Sequence, residues 1–178
     1  MKTYVKTSLV LVASLLLLLG CSQQSSTTSN SSKAETTEVK TTEAETTEKK
    51  SELKTVTFVN DSQPGIQSTL TYTVDGDNVV KQTAHNVADP EALNNNADDL
   101  KNLIEETYKG YKGLKGVTLS VEIKDGKVVQ DLEIDLSVAS LDELRKALPE
   151  EYSGVGKNVS FKASKKMLTE HGYKEQTN

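Results

Sequence analysis

The sequence has no tryptophan, one cysteine, two histidines and three prolines in 178 residues, and its aromatic side chains amount to 4%. A single thiol cannot close a disulfide within the chain, so the globular part must hold together without a covalent staple. Two histidines far apart, with no second cysteine, argue against a zinc site, and no other metal or cofactor is expected. No G-x-S-x-G turn is present, and no Ser-His-acid set is singled out by spacing, so nucleophilic catalysis has no motif behind it. A basic surface is missing too. The chain carries a net charge of −5, and residues 54–178 alone hold fifteen Lys and Arg against twenty Asp and Glu. That balance argues against nucleic acid and against docking by charge on an anionic membrane.

What is present begins with an apolar run at the N-terminus. Lys2 and Lys6 precede Leu9 to Leu19, and Gly20 and Cys21 follow. These are the parts of an export signal. As a helix the run spans roughly 17 Å, well short of the about 30 Å of a hydrocarbon core, so a signal is the better reading than a membrane span. Leu18-Leu19-Gly20-Cys21 resembles the lipobox of bacterial lipoproteins, with Leu19 bulkier than the Ala or Ser frequent at its place. Residues 1–20 are then a lipoprotein signal peptide, and Cys21 takes a diacylglyceryl group as a thioether. Two acyl chains, at about 0.8 kcal/mol per buried methylene, hold stably where one is marginal.

Residues 21–53 contain almost nothing apolar beyond the cysteine. Within them runs a five-residue repeat, Glu35-Thr36-Thr37-Glu38-Val39, Lys40-Thr41-Thr42-Glu43-Ala44 and Glu45-Thr46-Thr47-Glu48-Lys49. A period of five matches neither a helix stripe nor strand alternation, and the composition cannot offset the entropy of ordering. The segment reads as a disordered tether with a reach of roughly 30 Å. That length suits a domain that must clear a thick wall, which points to a Gram-positive cell surface.

Residues 54–178 form one domain. Val56 and Phe58 begin a first strand. Ile66, Ser68, Leu70, Tyr72 and Val74 alternate with polar partners in a second, and a turn at Asp75-Gly76-Asp77 leads into a third, Asn78 to Val87. Adjacent Val79 and Val80 leave the register of that third strand open. Asp89-Pro90-Glu91 predicts a helix start, interrupted at Asn94-Asn95-Asn96. A firmer helix begins at Ala97, with Leu100, Leu103, Ile104, Thr107, Tyr108 and Tyr111 on one face and Gly110 as its stop. Val117, Leu119, Val121 and Ile123 mark a fourth strand. The Asp125-Gly126 turn sets Ile123 opposite Val128, Leu119 opposite Leu132 and Val117 opposite Ile134. Ser140 to Glu143 is a capping box for a short helix ending before Pro149, and a last helix runs from Phe161 to His171. The expected class is α+β: an antiparallel sheet of about five strands with helices on one face and a Thr-rich, charged face in water. The two Asp-Gly turns, each followed by paired valines, hint at two related halves.

Thr55-Val56-Thr57-Phe58, Leu70-Thr71-Tyr72-Thr73 with Gly76-Asp77, Lys81-Gln82-Thr83, Gly113-Leu114-Lys115-Gly116-Val117 and Gly172-Tyr173-Lys174 together resemble the YehR-like family of small bacterial lipoproteins. The resemblance spans most of the domain. It implies a compact α+β fold in a lipid-anchored protein and brings no catalytic position with it.

Few side chains are candidates for chemistry. Lys81, Thr83 and His85, with Gln82 and Asn86, could grip a small polar ligand if they share a face, although an exposed strand face explains them as well. Asp131, Glu133 and Asp135 repeat along one strand face at about 6.8 Å and could collect a cation, but no loop completes a coordination shell. His171 at a helix C-terminus suits the dipole. Gly110 to Gly116 leads from a helix into a strand, the reverse of a phosphate-binding loop. The expected role is a non-enzymatic binding module of the cell envelope, anchored outside the membrane, with an envelope protein as partner. A small-ligand or ion-binding accessory lipoprotein is the alternative.

Overall fold

The computed structural model describes residues 52–177. The signal at 1–20, Cys21 with Leu18, Leu19 and Gly20, and nearly all of the tether lie outside the described residues. The domain is one six-stranded antiparallel sheet in the order β4-β5-β3-β2-β1-β6. Its strands are β1 (Lys54–Asn60), β2 (Ile66–Asp75), β3 (Asn78–Ala88), β4 (Val117–Lys124), β5 (Lys127–Asp135) and β6 (Lys174–Glu175). The sixth strand, beyond the five expected, is the two-residue β6, which pairs with Phe58 and Val59 at the free side of β1. So short a piece leaves no period-two signal for a sequence to show.

Burial alternates along β2 without a break, from Ile66 to Val74. Along β3 it shifts once. Thr73 stands opposite Lys81 but Val74 stands opposite Val79, so Val80 is an inserted bulge residue. That insertion is why two adjacent valines could not fix the register: Val79 is buried, Val80 is not, and beyond the bulge Gln82, Ala84, Asn86 and Ala88 turn inward. The β4–β5 hairpin has the expected register, with Ile123, Leu119 and Val117 opposite Val128, Leu132 and Ile134. Asp125 and Gly126 both take positive φ, 50° and 76°, as a type I′ turn requires.

The helices lie over the inward face: α1 (Ala97–Thr107), α2 (Leu141–Ala147), α3 (Pro149–Tyr152) and α4 (Phe161–Glu170). Asn96, not Asp89, caps α1, accepting from the Asp99 N–H at 2.7 Å. The expected helix start at Asp89 is instead a turn. The Asp89 carboxylate accepts the Glu91 and Ala92 N–H groups, and Asn94 takes a positive φ that ends any helical run. Gly110 does not stop α1 either. The helix ends at Thr107, and Gly110 sits inside a 3₁₀ turn at Lys109–Tyr111. A Cβ there would come within 2.8 Å of the Leu148 side chain, so packing accounts for that glycine. Ser140 caps α2 as expected, accepting the Glu143 N–H. Pro149 then starts the extra turn of α3.

Phe161 brings α4 onto the sheet, with ring centroids 6.2 Å from Phe58 and 6.0 Å from Tyr72. The β2–β3 turn clamps the start of the same helix: Asp77 accepts from the Ser160 hydroxyl at 2.8 Å and the Lys162 N–H at 2.7 Å. Leu70, Tyr72, Leu100, Tyr111, Leu144 and Ile134 fill the core between sheet and helices.

Candidate functional site

The face of the sheet away from the helices is a lattice of polar side chains set by strand pairing. One row across it reads Thr69, His85, Asp131 and Ser120; the next reads Thr57, Thr71, Thr83, Glu133 and Thr118. A third holds Thr55, Thr73, Lys81 and Asp135. Neighbouring rows on this face are about 6.8 Å apart along the strands. The fold therefore brings Lys81, Thr83 and His85 onto one side of β3. Gln82 and Asn86 go to the other side and are buried, so the five polar residues of this strand do not form one gripping face.

His85 Nδ1 lies 2.6 Å from Asp131 Oδ1, and Lys81 Nζ lies 2.8 Å from Glu133 Oε2. Thr57 and Thr71 hydroxyls meet at 3.1 Å. Between β3, β5 and β4 the face dips into a depression of about 380 Å³, lined by Thr83, His85, Thr118, Ser120, Asp131 and Glu133. In it the order along the row is imidazole, carboxylate, hydroxyl, and no hydroxyl is hydrogen-bonded to the ring among the described residues. Asp131, Glu133 and Asp135 do not converge on a cation. Each is engaged separately, the last by Ser137, whose hydroxyl and backbone N–H hold the Asp135 carboxyl below its usual range. No cluster of three or more His, Cys, Asp or Glu suited to a metal occurs among the described residues. His171 donates from Nδ1 to the Met167 carbonyl at 2.8 Å, at the end of α4 and far along the chain from the depression. Tyr108 and Tyr111 stack with centroids 6.0 Å apart inside the core, not on a surface.

Residues 54–174 match the family described as "Protein of unknown function (DUF1307)". The chain belongs to this family. Two relatives are the uncharacterised lipoproteins Lin0239 of Listeria innocua serovar 6a and Lmo0207 of Listeria monocytogenes serovar 1/2a. Each is 36% identical over 128 residues, covering 71% of this chain and 82% of the relative. The solution structure of Escherichia coli YehR has the same fold, with a TM-score of 0.52 at 18% identity, over 71% of this chain and 92% of that one. A Streptococcus pneumoniae TIGR4 protein solved by NMR aligns with a TM-score of 0.50 at 19% identity, over 86% and 100%. The domain is thus that of a YehR-like lipoprotein family.

Two polar clusters inside this DUF1307 domain escaped sequence reasoning. Beneath the helices, Tyr173 donates to Ser68 Oγ at 2.9 Å, Ser68 donates to Asn86, and Asn86 donates to Gln130 Oε1. This chain of hydrogen bonds crosses β2, β3 and β5, and Ser68, Asn86 and Gln130 are all buried. Ser68 standing in an otherwise apolar alternation is the one signal that could have revealed it. The second cluster is Glu151 on α3, whose carboxylate accepts a hydrogen bond from the Tyr111 phenol. Burial pushes the Glu151 carboxyl up to about 7, the Tyr111 hydrogen bond opposes that, and neighbouring Glu150 adds to it.

Proposed function

We propose that this protein is a lipid-anchored, extracytoplasmic module of the cell envelope that binds a partner protein through the uncovered face of its sheet and catalyses no reaction. The anchor is the diacylglyceryl thioether on Cys21, and the lipoprotein names of its relatives support it. The observation that carries the binding role is the division of the sheet. Among the described residues the helices lie on one face, and the other presents three rows of hydroxyls and charged side chains with no described element over them. Broad and polar, such a face suits recognition of another surface, where complementary charges set register and specificity. Its Lys81–Glu133 ion pair is half exposed, so it adds little to folding and loses little when re-paired across an interface.

Two measurements test this. Labelled palmitate should enter the full chain and fail to enter Cys21→Ala; an unlabelled parent chain removes the anchor. Affinity capture from solubilised envelopes with the full chain should retain a partner that Thr83→Arg together with Thr71→Arg releases. Capture indifferent to those substitutions, or repeated failure to capture anything, counts against the face.

The depression at His85 favours a second reading, a small polar ligand or ion held in an accessory lipoprotein by Thr83 and His85, with Lys81 outside the lining and joined to it through Glu133. Its volume falls within the range of small-molecule pockets. A metabolite and metal panel read by melting temperature distinguishes it: a ligand that stabilises the parent chain and not His85→Ala supports this reading, and a flat panel removes it.

A further inference from the structure

The two edges of the sheet are treated differently. At the β1 edge, β6 pairs with Phe58 and Val59, and the Gln176 N–H continues to the Thr57 carbonyl at 2.8 Å. At the other edge, β4 pairs among the described residues with β5 alone. β4 runs eight residues with no proline and no bulge, and its inward positions Val117, Leu119, Val121 and Ile123 carry no charge. Proline, a bulge and inward charge are among the devices by which edge strands avoid pairing, and β4 lacks these three, its charged Glu122 and Lys124 standing on the outer face. Three of the four large apolar side chains left exposed among the described residues lie on β4 or on elements beside it, spread from one end of the strand to the other. Of Leu53, Leu103, Ile123 and Val138, Ile123 is on β4 and Leu103 is on α1, which packs against β4. Val138 lies beside Gly116 at the start of the strand.

We propose that β4 is where two copies of this chain pair, antiparallel and about a two-fold axis at Ser120. The hydrogen-bond phase of the strand makes this available. A two-residue turn is closed by a hydrogen-bonded pair, here Lys124 and Lys127, so the even-numbered residues of β4 bond to β5. The backbone groups of Leu119, Val121 and Ile123 therefore point outward from the sheet edge. With the axis at Ser120, Leu119 faces Val121 of the other copy and Val117 faces Ile123, so all four apolar side chains meet apolar side chains. On the outer side Thr118 faces Glu122, and Lys124 falls opposite Gly116. Other registers are poorer. Centring on Glu122 opposes two glutamates, centring on Val121 sets Val117 against Asp125, and centring on Leu119 sets Ile123 against Lys115; like charges directly opposite are unfavourable. The paired sheet has twelve strands, with β6 of each copy at its outer flanks.

The test is cysteine cross-linking of the full chain in its own membrane, with the parent chain as the background for Cys21. Ser120→Cys lies opposite itself at a spacing a disulfide can close, and mild oxidation should convert it to a dimer. Thr118→Cys and Glu122→Cys should each stay monomeric alone and cross-link when co-expressed. Adding Ile123→Lys, a substitution at a 40% exposed position, should abolish the Ser120→Cys dimer while leaving the melting temperature unchanged. A monomeric Ser120→Cys chain overturns the proposal, as does a dimer indifferent to Ile123→Lys. So does a cross-link from Ser120→Cys to a different envelope protein in place of a second copy.

Discussion

Glu151 offers a quantitative test of how this core is built, because it is a carboxyl pressed among phenols. Burial raises its pKa from the ordinary 4.5 to about 7, against the opposing hydrogen bond from Tyr111 and with help from the Glu150 charge. Burial also keeps the Tyr111, Tyr108 and Tyr152 phenols protonated well beyond neutral pH. The folded state therefore holds the Glu151 proton at pH values where the unfolded chain has released it. Between the two pKa values the native state binds more protons, so stability falls as pH rises and levels off above about pH 8. At about 1.4 kcal/mol per unit the shift corresponds to about 3 kcal/mol, and allowing for solvent at this half-buried group leaves about 2 kcal/mol. Glu151→Gln keeps an oxygen that accepts the Tyr111 hydrogen bond and removes the titration. Urea unfolding of the chain from Glu52 onward, followed by tyrosine emission at pH 4.5 to 8.5, measures both proteins. The variant should match the parent near pH 4.5 and exceed it by about 2 kcal/mol at pH 8. A difference that does not change with pH, or one that favours the parent as pH rises, refutes the burial argument.

Other substitutions probe the remaining joints of the fold. Asn86→Ala should cost about 3 kcal/mol, because Ser68 and Gln130 each lose a buried partner; denaturant midpoints measure it, and a cost below about 1 kcal/mol would mean the cluster is not holding the strands. Asp77→Ala should cost about 1 kcal/mol by freeing the start of α4. The Lys162 N–H and the Ser160 hydroxyl hold the Asp77 carboxyl below the ordinary 3.8, so the parent should lose that advantage as pH falls through this depressed value and the two unfolding curves should converge. Gly116→Ala should cost about 2 kcal/mol or more, since φ is 75° and a Cβ would stand 2.7 Å from the Ala139 nitrogen and 2.9 Å from the Asp135 oxygen; a melting temperature equal to the parent's would contradict that packing.

The parts of the fold legible in the sequence are those where local chemistry and burial agree. The β4–β5 hairpin is one, since the Asp125-Gly126 turn and the alternation of Val117 to Ile123 independently demand one register. The α+β class and the polar face follow from the same alternation. What failed did so where a tertiary partner decides. Asp89-Pro90-Glu91 has the residues of a helix start, but the Asp89 N–H bonds to the Gly65 carbonyl at 2.7 Å and the Leu93 N–H folds back on Asp89 and Pro90. Those bonds close a turn, and Asn96 takes over the capping. Gly110 has the look of a C-terminal stop, yet its reason is the Leu148 side chain thirty-eight positions away. Period-two alternation alone separates Lys81, Thr83 and His85 from Gln82 and Asn86, but which set turns inward depends on the phase of β3, and the Val80 bulge hides that from a count along the strand.

The bulge also explains an asymmetry in the core. The four strands β4-β5-β3-β2 are two hairpins joined at the β5–β3 pairing, each followed by a helix. A two-fold axis through the Ala84 and Leu132 pair exchanges them, carrying Gln82 onto Gln130 and Asn86 onto Ile134. Both glutamines are buried, and each leaves its Nε2 without a hydrogen-bond partner among the described residues. Asn86 meets the Gln130 oxygen across the strand pair, whereas Gln82 faces Ile134. The hint of two halves carried by the Asp-Gly turns is therefore an arrangement in space. The halves differ at their outer strands. The first hairpin is extended by β1 and β6, while the second ends at bare β4. A repeat unit whose one copy is covered and whose other copy is open leaves β4 as the long open edge among the described residues, at right angles to the polar face. A partner on that face and a second copy at that edge would not compete for the same surface, so the substitutions at Thr83 and at Ile123 should act independently.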